Sequence, residues 1–273
     1  MKKLLIILSL LLTTSVFAKT YKITLLATPG SGSDVVVRMI ADALEKETKH
    51  TFVVINRTGA FGLVNYKSFL TENQNNDTIC MLGGTSFTIP EISNYNKESK
   101  PLITLYGMKF LVVARKDSNI KTPKDIKGKL NIGFSNLLSK ALFEDRFVGD
   151  FQLVDYKSEN EALVSLLYKQ VDLASVSTQN TMLNSMKDKF VVMTPFNKNI
   201  VNPAQLIVGK TMDEDEILML SNAFNVVLKK PEIINFMQTN FNTTPEGGSP
   251  EKSKMLLENY LKLVSPLIKN EKN

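Results

Sequence analysis

One layout, repeated along the first third of the chain, constrains the fold more than any other feature. An apolar strand pattern runs straight into a glycine-bearing turn and then into an amphipathic stretch. Ile23 to Ala27 passes through Pro29-Gly30-Ser31-Gly32-Ser33-Asp34 into Val36, Met39, Ile40, Ala43 and Leu44, apolar at helical spacing. Thr51 to Ile55 passes through Asn56-Arg57-Thr58-Gly59-Ala60-Phe61-Gly62 into a second helix pattern, and Thr78 to Leu82 passes through Gly83-Gly84-Thr85-Ser86 into another apolar stretch. Glycine permits close backbone approach, and a helix start leaves N–H groups without partners, so turns of this kind can build an anion site. A single such loop is ordinary punctuation of a βαβ sheet. Three in succession point to a binding crevice.

The chain opens on Met1-Lys2-Lys3, an apolar run from Leu4 to Phe17, and the small-residue pattern Val16-Phe17-Ala18. This reads as a secretory signal peptide over residues 1–18, with an apolar run too short to span a bilayer. The mature chain is expected to begin at Lys19, and no cysteine follows the cleavage site to carry a lipid anchor. Cys80 is the only cysteine, which excludes an intramolecular disulfide; within Thr78 to Leu82 it reads as a buried thiol. The net charge is +6, with Lys interleaved with Asp and Glu rather than clustered with aromatics, which is not a nucleic-acid signature. Such a charge modestly attracts anionic solutes.

Catalysis finds little to work with. His50 is the only histidine and sits in the polar turn Thr48-Lys49-His50-Thr51, so neither a Ser-His-Asp site nor a zinc site built on clustered histidines is available. Gly209-Lys210-Thr211 imitates the end of a phosphate-binding loop, but Ala204 stands where that motif needs its first glycine. No catalytic residue, metal or cofactor is expected.

Further along, Leu102 to Ala114 reads as a long β-rich segment interrupted at Gly107, and Thr122-Pro123-Lys124-Asp125 as a helix start. Strand patterns at Leu130 to Phe134, Phe151 to Tyr156, Val171 to Val176 and Phe190 to Thr194 alternate with helical stretches such as the one from Glu161 to Tyr168. A last short strand, Gln205 to Val208, is followed only by helices, at Asp213 to Leu228, Pro231 to Thr239 and Ser249 to Ile268. Alternating strands and helices predict mostly parallel α/β sheets. The order predicts two lobes: 19–108 plus 206–273, and 109–205. Two crossings between them make a hinge, and the crevice between two such lobes is where open α/β sheets place ligands.

In order and spacing these residues resemble the substrate-binding proteins of tripartite tricarboxylate transporters, the Bug-type periplasmic receptors. Pro29-Gly30-Ser31-Gly32-Ser33-Asp34 is similar to that family's P-G-G-G-T-D loop, and Asn56-Arg57-Thr58-Gly59-Ala60-Phe61-Gly62 to its N-R-P-G-A-G-G. Gly128-Lys129-Leu130-Asn131-Ile132-Gly133, Tyr156-Lys157, Gln170-Val171-Asp172, Pro231-Glu232 and Gly248-Ser249-Pro250-Glu251 resemble later landmarks. The chain departs from the family at Phe134-Ser135-Asn136-Leu137-Leu138-Ser139, shorter and more apolar than the usual glycine-serine loop, and at Tyr156-Lys157-Ser158-Glu159, which brings a carboxylate toward the presumed cleft. The resemblance implies a two-lobed periplasmic-binding-protein fold (Venus flytrap, type II) with two hinge crossings. It also implies a soluble periplasmic monomer that captures a small carboxylate-bearing metabolite, largely through backbone amides, and delivers it to membrane transporter subunits. An exported receptor of the same fold feeding a membrane sensor is the neighbouring alternative, and an exported hydrolase using Ser31, Ser33 or Ser86 is one from another class.

The ligand-contacting residues expected on this reading are Gly30, Ser31, Gly32, Ser33 and Asp34; Thr58, Ala60, Phe61 and Gly62; Thr85 and Ser86; and, in the second lobe, Ser135, Ser139 and Asp172. Each has a plainer alternative. Ser33 and Asp34 also read as capping the first helix, with Arg38 as the ion-pair partner of Asp34. Thr85 and Ser86 can cap a helix as well as donate to a carboxylate, Phe61 can be core, and Asp172 can accept loop amides. Arg57 reads as an ion-pair residue rather than an anion clamp.

Overall fold

The computed structural model describes residues 18–73, 75–193 and 200–269. The expected leader lies outside them, but for Ala18. The first part of the chain gives β1 (Thr20–Leu25), α1 (Gly32–Thr48), β2 (Thr51–Asn56), α2 (Leu63–Glu72), β3 (Thr78–Gly83), the short α3 (Pro90–Ser93) and β4 (Ser99–Met108). Next come β5 (Phe110–Arg115), β6 (Lys129–Phe134), α4 (Leu137–Arg146), β7 (Asp150–Asp155), α5 (Glu159–Leu167), β8 (Leu173–Ser177), α6 (Thr181–Ser185) and β9 (Phe190–Val192). The chain closes with β10 (Asn202–Gly209), α7 (Glu214–Leu228), α8 (Pro231–Phe241) and α9 (Pro250–Lys269).

These strands form two five-stranded sheets, ordered β2-β1-β3-β10-β4 and β7-β6-β8-β5-β9. In each, a single strand runs against the others: β10 is antiparallel to β3 and β4, and β5 to β8 and β9. The chain leaves the first sheet after β4 and returns to it with β10. The break between β4 and β5 falls at Lys109, not at Gly107. Gly107 lies within β4 opposite Pro203. Lys109, by contrast, exchanges bonds with the second sheet's edge: its N–H donates to Thr178 Oγ1 at 3.3 Å and its carbonyl accepts from Thr178 N at 2.8 Å. That exchange of partners is the physical reason the strand ends there. The return point expected between residues 205 and 206 lies inside β10, which pairs with β4 from Asn202 onward. The helix expected at Pro123 is a single 3-10 turn, Pro123–Asp125, opened by a capping box in which the Asp125 carboxylate accepts from the amides of Lys121 and Thr122.

Alternation along the strands assigns each face to its cover. In β1 and β3, Ile23, Leu25, Ile79 and Met81 face Val37, Ile40 and Leu44 of α1 and Leu220, Phe224 and Met237 of α7 and α8. On the opposite face, Cys80 and Leu82 meet Tyr66 and Phe69 of α2 and Leu257, Tyr260 and Val264 of α9. That second cluster continues into the other sheet through Ile132, Phe134 and Leu173 and through Leu138 and Phe143 of α4, so α9 is packed against elements of both sheets. The last face of the second sheet is covered by Ala162, Leu163 and Leu166 of α5 and Leu183 of α6. A buried aliphatic side chain contributes about 1.5–3 kcal/mol, so these seams fix the strand order. Cys80 is fully buried, and burial pushes its thiol up to about 12.

Candidate functional site

The three glycine-bearing loops follow β1, β2 and β3, which are parallel and adjacent, so all three emerge at one edge of the first sheet. Side chains bind them together. The Asn56 carboxamide donates to the Ala27 carbonyl and to Asp34 Oδ1, both at 2.9 Å, and accepts from Arg38 Nη2 at 2.9 Å. Asp34 also accepts the Gly30 amide at 2.9 Å and pairs with Arg38 at 2.9 Å. Burial would raise its pKa, but Arg38, the Gly30 amide and Asn56 together hold the carboxyl below the usual aspartate range. The third loop is tied to the second by Ser86 Oγ, which donates to the Phe61 carbonyl at 2.7 Å.

Capping of α1 differs from expectation. Ser31, not Ser33, is the N-cap; its side chain accepts from Asp34 N, while Asp34 is engaged with Gly30, Arg38 and Asn56. Ser33 lies beside the buried phenol of Tyr106, whose pKa burial pushes up against the opposing effect of Ser33. Tyr106 Oη nevertheless has no hydrogen-bond partner among the described residues. Thr85 and Ser86 do not cap either, because Gly84–Thr88 is a 3-10 turn. Thr85 is buried, its amide donating to Asn202 Oδ1 at 3.2 Å and its hydroxyl meeting Tyr260 Oη at 2.9 Å.

Tracing each loop amide shows which remain open. Gly30 N is taken by Asp34, and Ser31 N by the Thr28 carbonyl at 3.1 Å. Gly62 N bonds the Gly59 carbonyl at 3.0 Å. The amides of Gly32, Ser33, Ala60 and Phe61 find no acceptor among the described residues. The second loop turns sharply: φ is +125° at Gly59, +44° at Ala60, +53° at Phe61 and +98° at Gly62. Left-handed backbone costs a non-glycine residue about 1–2 kcal/mol. The Phe61 side chain stays 45% exposed and outside the core clusters, and Thr58 is exposed. Arg57 pairs with Glu72 at 2.7 Å.

The second sheet presents a matching set of strand ends, after β6, β7 and β8, each closed by a capping side chain. Asn136 Oδ1 accepts from Leu138 N and Ser139 N, Ser158 Oγ from Glu161 N, and Asn180 Oδ1 from Leu183 N. Ser139 is buried and its hydroxyl donates to the Asn136 carbonyl at 2.9 Å, while Ser135 is half-buried. Asp172 staples β6 to β8, accepting from Asn131 N at 2.8 Å. Glu159 holds the end of β8. Its carboxylate accepts from Ser177 N at 2.8 Å, Ser177 Oγ at 3.0 Å and Asn180 Nδ2 at 3.1 Å. Burial raises its pKa, and those three donors work against the rise.

The two sets of loops meet at the start of α1. A Cβ on Gly32 would lie 2.4 Å from the Gln179 carbonyl oxygen and 2.9 Å from the Phe241 ring, so only glycine lets these segments touch. Gln179 is 3% exposed, and neither its Nε2 nor its Oε1 has a partner among the described residues. Sequence reasoning did not single out Gln179, because nothing in local pattern marks it. Asn136 and Asn180 did carry a signal, as capping-type residues directly before a helix.

No family model matches the sequence, and no curated protein is significantly similar to it. Among solved structures, the chain is similar to the periplasmic binding protein BugD, at 17% identity and a TM-score of 0.79 over 92% of this chain and 97% of that one. It is similar to an R. palustris protein solved with adipate, at 15% identity and a TM-score of 0.81 over 92% and 96% of the two chains. MatC from Rhodopseudomonas palustris, solved with bound malate, is similar at 16% identity and a TM-score of 0.78 over 92% and 99%. These likenesses span nearly the whole of each chain. The protein has the two-lobed α/β fold of periplasmic binding proteins.

Proposed function

We propose that the protein is an exported solute-binding protein that captures a small carboxylate-bearing metabolite between its lobes and delivers it to the membrane subunits of a tripartite tricarboxylate-type transporter. The observation that carries this reading is the set of open amides at Gly32, Ser33, Ala60 and Phe61, on loops gathered at one sheet edge. Two of them belong to the first turn of α1, a 17-residue helix whose positive end favours an anion. The neighbours solved with adipate and malate support a carboxylate ligand. One lobe is built on the first sheet, β1 to β4 with the whole of β10, and the other on β5 to β9, and they close on the ligand through differential affinity for the closed state. The leader of residues 1–18 directs export to the periplasm, where the mature chain acts as a monomer, without a cofactor and without chemistry.

The serine candidates fit this reading better than hydrolysis. Ser31 caps a helix, Ser86 donates to Phe61, and the lone His50 accepts from the backbone of Lys19 at 3.1 Å, at the far end of β2 from these loops.

A thermal-shift screen of small mono- and dicarboxylates, followed by isothermal titration, tests the proposal. A cognate acid at 100 times its Kd adds about 2.7 kcal/mol of stability, whereas sugars and metal ions leave the melting temperature unchanged. Stabilisation by sugars or metals alone would remove the anion-site argument.

A further inference from the structure

Two buried polar side chains near one turn lack a hydrogen-bond partner among the described residues. The backbone carbonyl of Gln179 lies against the first turn of α1, and among the described residues neither atom of its buried carboxamide has a partner, nor has the phenol of Tyr106 beside Ser33 of the same turn. A buried carboxamide without partners is costly, and native structures keep one only where something else satisfies it. The Gln179 segment is also held in place. Thr178 is bonded to Lys109 at the point where the chain changes sheets, and Glu159 grips Ser177 and Asn180 on either side. Such a rigidly presented group is suited to reading a ligand.

Resting on the carboxylate-binding reading above, we infer that Gln179 is a specificity-determining residue that reads a hydroxyl on the ligand, so that the preferred solute is a short hydroxy-carboxylate rather than a plain one. The carboxamide offers two donors and one acceptor. A ligand bearing only acceptors, such as an unsubstituted dicarboxylate at neutral pH, satisfies Nε2 and leaves Oε1 orphaned. A hydroxyl supplies the missing donor and accepts at the same oxygen. An ammonium is the less suitable donor here, because the positive end of α1, with its open Gly32 and Ser33 amides, lies at this turn and disfavours a cation.

The test is isothermal titration of the mature protein and its Gln179→Met and Gln179→Asn variants with malate and with succinate, which differ by one hydroxyl. The wild type binds malate about tenfold or more tightly than succinate. Gln179→Met, of similar length but without the carboxamide, brings the two affinities within about twofold while succinate binding is kept. Gln179→Asn, which folds with a carboxamide drawn back by one methylene, gives the same loss of preference. Equal affinities in the wild type, or a malate preference that survives in both variants, overturns the inference and leaves carboxylate binding standing. Failure of the wild type to bind either acid or any other carboxylate overturns both readings.

Discussion

At the scale of single residues, steric position separates groups that look alike in sequence. Gly32 is pinned between a backbone carbonyl and an aromatic ring, so Gly32→Ala must push Gln179 or Phe241 away. Overpacking of this kind costs about 1–3 kcal/mol, and displacing the first turn of α1 abolishes ligand binding. Gly62 combines a φ of +98° with Ser86 Oγ at 2.8 Å from its built Cβ, so Gly62→Val disrupts the second loop and its tie to the third. Arg57→Ala is the control. Its ion pair with Glu72 has both side chains about a third exposed, at 30% and 37%, so the loss is below about 1 kcal/mol and affinity is unchanged. Urea denaturation with titration of one carboxylate on each variant checks the set; loss of binding in Arg57→Ala with retention in Gly32→Ala would relocate the site to a side-chain clamp.

At the scale of elements, the end of β8 and the start of α5 depend on one carboxylate. Burial raises the Glu159 pKa in the folded state above its ordinary value of 4.5. A raised folded pKa means that the protonated form is favoured by folding. The associated stability is therefore fully present below about pH 4.5 and is lost as pH rises through the folded value. Glu159→Gln removes this titration, so the stability of the wild type relative to the variant rises on acidification from pH 8 toward pH 5. Denaturant midpoints of the two proteins at both values check it, and a difference that is flat or of opposite sign refutes the burial argument. Asp34 behaves in the opposite sense. Its lowered pKa supplies stability above the ordinary value of 3.8, lost as pH falls through the folded value.

At the scale of the whole molecule, α9 packs between elements of both sheets and is held to the first by more than apolar packing. Gln205 of β10 donates to Thr104 Oγ1 of β4 at 2.9 Å and to the Ser253 carbonyl at 3.0 Å, while Ser253 Oγ donates to Gln205 Oε1 at 2.6 Å. About two turns further on, Tyr260 meets Thr85. Tyr260→Phe keeps the ring in the core but leaves the Thr85 hydroxyl unpaired, which costs about 1–3 kcal/mol. The expected result is a lower midpoint in chemical denaturation with an unchanged far-ultraviolet circular dichroism spectrum; an unchanged midpoint would mean that this contact contributes nothing.

Period and punctuation are local properties, so the sequence alone determined the strand–loop–helix units after Ile23 and Thr51, the strand from Thr78, the pairing of Asp34 with Arg38, the buried thiol, and the three closing helices to within one or two residues. Those features need only neighbours within a few positions. What the tertiary structure decided involves partners distant along the chain. The break at Lys109 rests on Thr178, the inward turn of Thr85 on Asn202 and Tyr260, and the consumption of the Gly30 amide on where the Asp34 side chain folds. The approach of Gln179 to Gly32, across nearly 150 residues, is written in no local pattern, because it exists only once two separately formed sheets bring their strand ends together.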